Sequence, residues 1–170
     1  MTNERLMQYE EFILKADGNI GHVRRDLHIA KLLAEKEHLA YDEDILTFAA
    51  YFHDISAYTP YAPEGQFDHA LESGRIVPEI AAGFGFSDED IGVIVEAVKY
   101  HDRQGLGTHA ETRLLRNADG IDYLGFMAVA RDFSKFSKDM RKAVAMLHKR
   151  LNLFAPLADL DSARELAAPR

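Results

Sequence analysis

The feature that most constrains this chain is the stretch 47–60, in which an apolar helical segment ends in a histidine and an aspartate. Apolar residues recur at helical spacing from position 45 to 55, Asp42 or Glu43 can cap the start, and Pro60 lies just past the end. This helix must therefore carry His53 and Asp54 into a packed region. A carboxylate there is costly unless donors or a cation offset its charge, and a divalent metal ion would satisfy both side chains. Taken alone, the pair is better explained as a histidine at a helix end that is hydrogen-bonded to its neighbour.

The same helical period recurs along the rest of the chain. It predicts helices over about 3–16, 20–39, 67–82, 87–101 and 108–121, and amphipathic helices near 122–135, 138–153 and 157–167. Pro78 is expected to kink or divide its helix, and Thr108 and Glu111 have the spacing of a capping box. No stretch has the pattern of a β-strand. We therefore predict an all-α fold, with residues 1–170 forming a single compact multi-helix domain.

Several large apolar residues are expected to face the core of this domain. Leu71 is predicted to point inward from the helix at 67–82. The later segments are predicted to contribute Phe126, Phe133, Val144, Leu147, Leu151 and Phe154.

Composition limits the kinds of metal ligand and of binding partner that this chain can have. A chain of 170 residues is long enough to bury a substantial core, and the absence of cysteine leaves nitrogen and oxygen as the strong metal ligands. The net charge of −8 disfavours binding to nucleic acid polymers or to anionic membranes. The polar start of the chain and the lack of a membrane-length apolar run favour a soluble, cytoplasmic protein.

Two further polar residues lie at or beside apolar stripes of other predicted helices and are candidates to act together with His53 and Asp54. His22 lies in the first turn of one predicted helix, and Asp119 lies in another. Two imidazoles and two carboxylates suit a divalent ion such as manganese, iron, cobalt, nickel or zinc, and leave positions for water and substrate oxygens. An open site of this kind indicates metal-assisted hydrolysis.

The order His22, His53-Asp54, Asp119 resembles the HD-domain superfamily of metal-dependent phosphohydrolases. Short matching contexts surround these residues, at 21–25, 51–55, 68–70, 99–101 and 116–122. The resemblance implies an all-helical fold and a metal held by His22, His53, Asp54 and Asp119. It also implies hydrolysis of phosphomonoester or phosphoanhydride bonds, most often in nucleotides.

The resemblance also extends to two more histidines. His69 and His101 stand where some branches of the superfamily place ligands of a second metal or groups that contact phosphate. In the two-metal branches the aspartate of the pair bridges both ions, which would be Asp54 here. Whether one or two ions bind is left open by the sequence.

The resemblance does not assign the general base or the phosphate contacts, because Ala57 stands where several branches carry a functional glutamate or lysine. Glu72, one turn after His69, is a candidate proton acceptor, and Asp122 is a candidate for orienting the attacking water. Both could instead be ordinary surface or ion-pair residues. For the phosphate, Arg25 is the best cation because it lies on nearly the same helix face as His22. Weaker candidates are Lys99 and Arg103.

We therefore predict a metal-dependent phosphohydrolase acting on a small phosphorylated metabolite, above all a nucleotide. One rival is a two-iron oxygenase of the same fold, which would use six ligands: His22, His53, Asp54, His69, His101 and Asp119. Another is a non-catalytic module that senses a nucleotide. The sequence leaves a homo-oligomeric state open.

Overall fold

Helices make up all of the regular secondary structure in the computed structural model, which describes residues 2–167 apart from the side chain of Phe154. Within that range the chain forms nine α-helices. They are α1 (Asn3–Lys15), α2 (Ile20–Glu37), α3 (Glu43–Phe52), α4 (His69–Gly83), α5 (Asp88–Tyr100), α6 (Ala110–Leu124), α7 (Phe126–Lys135), α8 (Met140–Phe154) and α9 (Asp161–Ala167). Short 3-10 turns at Ile55–Ala57 and Ala155–Leu157 follow α3 and α8. The predicted all-α fold is confirmed.

Side chains cap the starts of several helices, including the start of α3 for which the sequence predicts a cap. Thr2 accepts a hydrogen bond from the backbone of Arg5 at the start of α1, and Asp42 accepts two at the start of α3. Ser87 and Asp90 form a reciprocal capping box at the start of α5. Each cap satisfies backbone N–H groups that have no partner inside the helix.

Helix α4 continues through Pro78 without being divided. Division of the helix was one of the two outcomes expected from the sequence, the other being a kink. A proline removes only one helical hydrogen bond, and extensive packing of α4 against α5 holds the helix together. Gly74 permits this close approach, because a Cβ there would lie 3.2 Å from the Cβ of Lys99.

The start of α6 differs from the predicted capping box. His109 is the N-cap residue and its side chain makes no capping hydrogen bond. Glu96 of α5 instead accepts hydrogen bonds from the backbone of Thr108 and His109, and Glu111 accepts one from the backbone of Asp42. Both carboxylates thus connect different elements of the fold.

The core is centred on α3, whose residues from Ile45 to Phe52 are all buried. Tyr9 of α1 packs edge-on against Phe48 and Phe52, which stack on each other with ring centroids 4.3 Å apart. Because α3 is enclosed by other helices, the residues at its carboxyl end enter the interior of the protein. His53 and Asp54 occupy that end.

The prediction of core residues is wrong for several positions outside α3. Phe126 is 80% exposed, and Val144, Leu151 and Leu71 are also exposed. Phe133 and Leu147 are half-buried, whereas the side chain of Phe154 lies outside the described residues. The helical period was right in these segments, but α7 and α8 are covered only partly by other helices. Within residues 2–167, no helix has the length and apolarity required to cross a membrane.

Candidate metal centre

Five structural elements bring histidine and aspartate side chains together at the carboxyl end of α3. His22 comes from the first turn of α2, His53 directly follows α3, and Asp54 precedes the 3-10 turn. Helix α4 begins with His69, His101 directly follows α5, and α6 supplies Asp119. These six residues are the ones for which the sequence predicts metal binding. The structure therefore brings the predicted ligands into one cluster.

The hydrogen bonds of three imidazoles determine which ring nitrogen faces this cluster. His53 donates from Nδ1 to the carbonyl of Ala50 at 3.0 Å, and His101 donates from Nδ1 to the carbonyl of Val98 at 2.6 Å. His22 donates from Nδ1 to the carboxylate of Asp122 at 2.9 Å. In each ring Nε2 is consequently left with a lone pair. This arrangement is the one expected of histidines that bind a metal through Nε2.

The carboxylate of Asp54 lies between two pairs of imidazoles. Its Oδ2 atom is 3.8 Å from Nε2 of His22 and 3.6 Å from Nε2 of His53. Its Oδ1 atom is 3.5 Å from Nε2 of His69 and 3.7 Å from Nε2 of His101. Nε2 of His69 and Nε2 of His101 are themselves 3.3 Å apart. Asp54 therefore presents one oxygen to each pair.

Ligand atoms in the cluster form two compact groups, each with atoms within 4.8 Å of one another. One contains His53, Asp54 and His101. The other consists of His22, Asp26, His53 and Asp119. Asp26 was not predicted as a site residue, although its position one turn after His22 places it on the same face of α2.

Several atoms of these groups are buried and lack a hydrogen-bond partner among the described residues. They are Nε2 of His22, Nε2 of His53, Oδ1 of Asp54, Oδ1 of Asp119 and both carboxylate oxygens of Asp26. Buried polar atoms are rarely left unpaired, because each costs free energy. A donor set of imidazole nitrogens and carboxylate oxygens that converge in this way fits a divalent metal ion.

Burial sets the charge of His53 and His101. It lowers the pKa of His53 to about 4 and that of His101 to about 3, so both rings are neutral at pH 7. Burial would raise the pKa of Asp54, but the surrounding imidazoles outweigh it and lower the pKa. For Asp26 and Asp119, burial and the neighbouring carboxylates both raise the pKa well above its usual value. A cation in the cluster would relieve this repulsion.

Asp122 and Arg25 are placed beside the cluster and are bonded to each other. The Nε and Nη2 atoms of Arg25 donate to the two carboxylate oxygens of Asp122 at 2.5 and 3.0 Å. Burial alone would raise the pKa of Asp122, yet the bonds from His22 and Arg25 lower it to about 2. Asp122 is thus an anion that orients His22.

The other predicted contacts lie further from the ligand cluster or are engaged elsewhere. Glu72 accepts hydrogen bonds from Arg75 on the surface of α4, and Lys99 packs against α4 and lies over the ring of Tyr100. Arg103 pairs with both Asp68 and Asp102. The structure does not bring Glu72 or Lys99 into either ligand group.

A cleft of about 310 Å³ opens beside the ligand cluster. Its lining includes His69, Asp102 and Asp119 at one end and residues of α6, α8 and the following turn at the other: Tyr123, Met146, Lys149, Arg150, Leu153 and Leu157. Sequence reasoning missed Asp102, Tyr123, Lys149 and Arg150 as site residues. Only Asp102 had a local signal, its position next to His101.

The basic residues of the cleft have different surroundings. Arg150 donates two hydrogen bonds to Asp132 and lies over the ring of Tyr123, with Cζ 4.7 Å from the ring centroid. Lys149 is exposed, and no acidic partner lies within ion-pair distance of it among the described residues. Lys149 is therefore the cation in the lining that is available to a ligand.

The family model for the HD domain matches residues 19–124, which is more than half of the chain. This range contains all six predicted metal ligands. No protein of curated function matches the sequence.

Solved structures share the fold over nearly the whole chain. A predicted HD-superfamily hydrolase from an uncultured Thermotogales bacterium is 21% identical, with a TM-score of 0.67, and the alignment covers 98% of this chain and 89% of that one. An HD-superfamily hydrolase from Bacillus thuringiensis is 18% identical, with a TM-score of 0.70 and coverage of 96% and 87%. YpgQ from Bacillus subtilis is 24% identical, with a TM-score of 0.68 and coverage of 96% and 85%. At these identities the likeness establishes the fold.

Proposed function

Because the chain belongs to the HD-domain family, we propose that it is a metal-dependent phosphohydrolase. Its substrate is a small phosphorylated metabolite, and a nucleotide is the expected class. The hydrolase names of two structural neighbours agree with this proposal. The observation that carries it is the position of the Asp54 carboxylate, which presents one oxygen to His22 and His53 and the other to His69 and His101.

This arrangement supports two ion positions that share Asp54. His22, His53, Asp54 and Asp119 would hold the first ion, and Asp54, His69 and His101 would hold the second. When bound, divalent ions supply Lewis-acid activation of the phosphoryl group and of water. Manganese, iron, cobalt, nickel and zinc are all compatible with this donor set.

The remaining polar residues have roles that follow from their contacts. Asp122 fixes the ring of His22 so that Nε2 faces the cluster, and Arg25 holds Asp122 in place. Asp102 lines the cleft, with its Oδ2 atom 3.9 Å from Nε2 of His69. Burial raises the pKa of Asp102, which makes it a better base than an ordinary aspartate. We assign the uptake of the proton from the attacking water to Asp102.

The cleft supports a substrate with both a phosphate and an apolar part. Its volume falls within the range of small-molecule sites, and Met146, Leu153 and Leu157 make one wall apolar. Lys149 can contact phosphate oxygens, whereas the apolar wall can contact the base or another uncharged part of the substrate. The phosphate would then lie at the end lined by His69 and Asp119.

Metal analysis coupled to a screen of phosphorylated metabolites tests the function. The chain is stripped with a chelator, reloaded with each candidate metal and assayed for phosphate or pyrophosphate release. We expect His53→Ala to lose the metal and at least about 1000-fold in turnover while it keeps its helical circular dichroism. His148→Ala, at an exposed histidine of α8, is the matched control and should behave as the wild type. Full activity of the metal-stripped protein would contradict the proposal.

The same screen separates the other functions that this fold can support. Two irons per chain and turnover that requires oxygen would identify an oxygenase that uses the same six ligands. A chain that binds both metal and nucleotide without turnover would be a sensing module. Either result would replace the proposed hydrolase.

A further inference from the structure

Asp26 is a buried carboxylate to which neither the sequence patterns nor the family resemblance gives a role. It lies on α2 one turn after His22 and is 0% exposed. Both of its oxygens lack a hydrogen-bond partner in the described structure. An aspartate in this situation is strongly destabilising unless a cation or a donor reaches it, because its desolvation is not offset.

The neighbouring side chains do not supply that donor. The Oδ2 atom of Asp26 lies 3.1 Å from Nδ1 of His22, but this nitrogen has one hydrogen and donates it to Asp122 at 2.9 Å. Arg25 is also engaged, since both of its hydrogen bonds go to Asp122. Asp26 is therefore left facing the interior of the cluster as an acceptor.

The position of Asp26 relative to the ligands indicates what it accepts. Its Oδ2 atom is 4.0 Å from Nε2 of His53, and that nitrogen also has no hydrogen-bond partner within the described part of the chain. Ligand atoms of His22, Asp26, His53 and Asp119 all lie within 4.8 Å of one another. Asp54 belongs to the group with His53 and His101, so Asp26 is the second carboxylate, beside Asp119, in the group with His22 and His53.

We propose that Asp26 is an additional ligand of the first metal ion and that it makes this position prefer manganese to zinc. Carboxylates suit hard ions such as manganese, whereas imidazoles suit zinc, so a further carboxylate shifts the selectivity toward the hard ion. The inference rests on the metal centre of the proposed function. It adds a ligand and a selectivity that the four-residue site does not have.

Titration calorimetry of the full chain with manganese and with zinc tests this assignment. In Asp26→Asn, the dissociation constant for manganese should rise at least about 30-fold, whereas that for zinc should rise about threefold or less. Asp122→Asn is the matched control, since it also removes one carboxylate of the cluster but acts through His22. It should weaken both metals by a similar factor.

The outcomes separate this inference from the proposed function. A wild type that binds neither metal would overturn both. If Asp26→Asn binds manganese as tightly as the wild type does, only the role of Asp26 is overturned. The same follows if the substitution raises the dissociation constants for manganese and zinc by equal factors. Metal-free thermal unfolding checks the fold, and Asp26→Asn should unfold at the wild-type temperature or above it, because a buried carboxyl group without a hydrogen-bond partner is replaced by an amide of the same shape. If the amide does not fold, Asp26→Ser is measured with the same expected shift in selectivity.

Discussion

Replacement of Glu96 by glutamine should destabilise the protein through the start of α6. The Oε1 atom of Glu96 accepts hydrogen bonds from the backbone N–H groups of Thr108 and His109 at 2.7 and 2.9 Å. It also accepts one from the hydroxyl of Thr112 at 2.8 Å. Glu96 thus caps α6 from outside the helix and ties it to α5.

The pKa of Glu96 gives the size of the effect. Burial alone would raise this pKa, but the hydrogen bonds from His109, Thr112 and Thr108 lower it from 4.5 to about 2. Each tenfold change in acid strength corresponds to about 1.4 kcal/mol, so the ionised carboxylate contributes at most roughly 3 kcal/mol at neutral pH, and solvent around this partly exposed group screens part of that. Glutamine retains a carbonyl acceptor but no charge, and we expect Glu96→Gln to lose about 2 kcal/mol.

The sign of the pH dependence follows from the lowered pKa. The contribution is fully present above the unfolded pKa of 4.5 and is lost as the pH falls toward the folded pKa of about 2. Urea unfolding at pH 7 and at pH 3 measures it, with Glu89→Gln on the exposed face of α5 as the control. The reasoning is refuted if Glu96→Gln costs less than about 0.5 kcal/mol at pH 7, or if the cost does not shrink at pH 3.

Two further predictions concern the ligands. Lys149→Gln should raise the KM for the phosphorylated substrate about tenfold and leave metal affinity unchanged, because one charge-assisted contact is removed. The control is Lys142→Gln, at a residue of the same helix that is paired with Asp139, and it should leave KM unchanged. Steady-state kinetics and calorimetry measure both, and a KM unaffected by Lys149→Gln would exclude that contact. His69→Ala should lower the metal content from two ions to one, as counted by mass spectrometry of the metal-loaded chain, and an unchanged count would argue against a second ion that uses His69.

Most of the helices and the central helix could be predicted from the sequence, because an apolar stripe and a capping residue are local signals. In α3, the helical spacing of apolar residues that predicts the helix also identifies Phe48 and Phe52 as buried. Three of the caps follow from the residue at the helix start. The grouping of His22, His53, Asp54 and Asp119 could be predicted because their order in the sequence resembles that of a known family.

What could not be predicted depends on partners distant in the sequence. Glu111 has the spacing of a capping-box residue, yet it bonds to the backbone of Asp42, and the cap of α6 comes from Glu96 on another helix. An apolar stripe also does not reveal how completely a helix is covered. Phe126 and Leu151 lie on amphipathic helices of the expected period and are nevertheless exposed.

The surroundings of the predicted phosphate-binding residues could not be predicted for a related reason. Proximity to His22 on the helix suggested that Arg25 would contact phosphate, but a carboxylate from α6 takes up its hydrogen bonds. The cleft brings Lys149 close to α6 from a helix whose sequence carries no motif. Such residues are identified by tertiary packing alone.

The charges of the cluster connect the number of ions to the nature of the substrate. Asp26, Asp54 and Asp119 are buried carboxylates, and Arg25 offsets only the charge of Asp122. In their ionised form these three carry a charge of about −3, while the buried rings of His53 and His101 are neutral. One divalent ion would leave this site negative and repel a phosphate. Two divalent ions would make it positive by about one charge, and an anionic phosphoryl group could then restore neutrality. The presence of Asp26 therefore strengthens the case for two ions in the proposed hydrolysis of phosphorylated substrates.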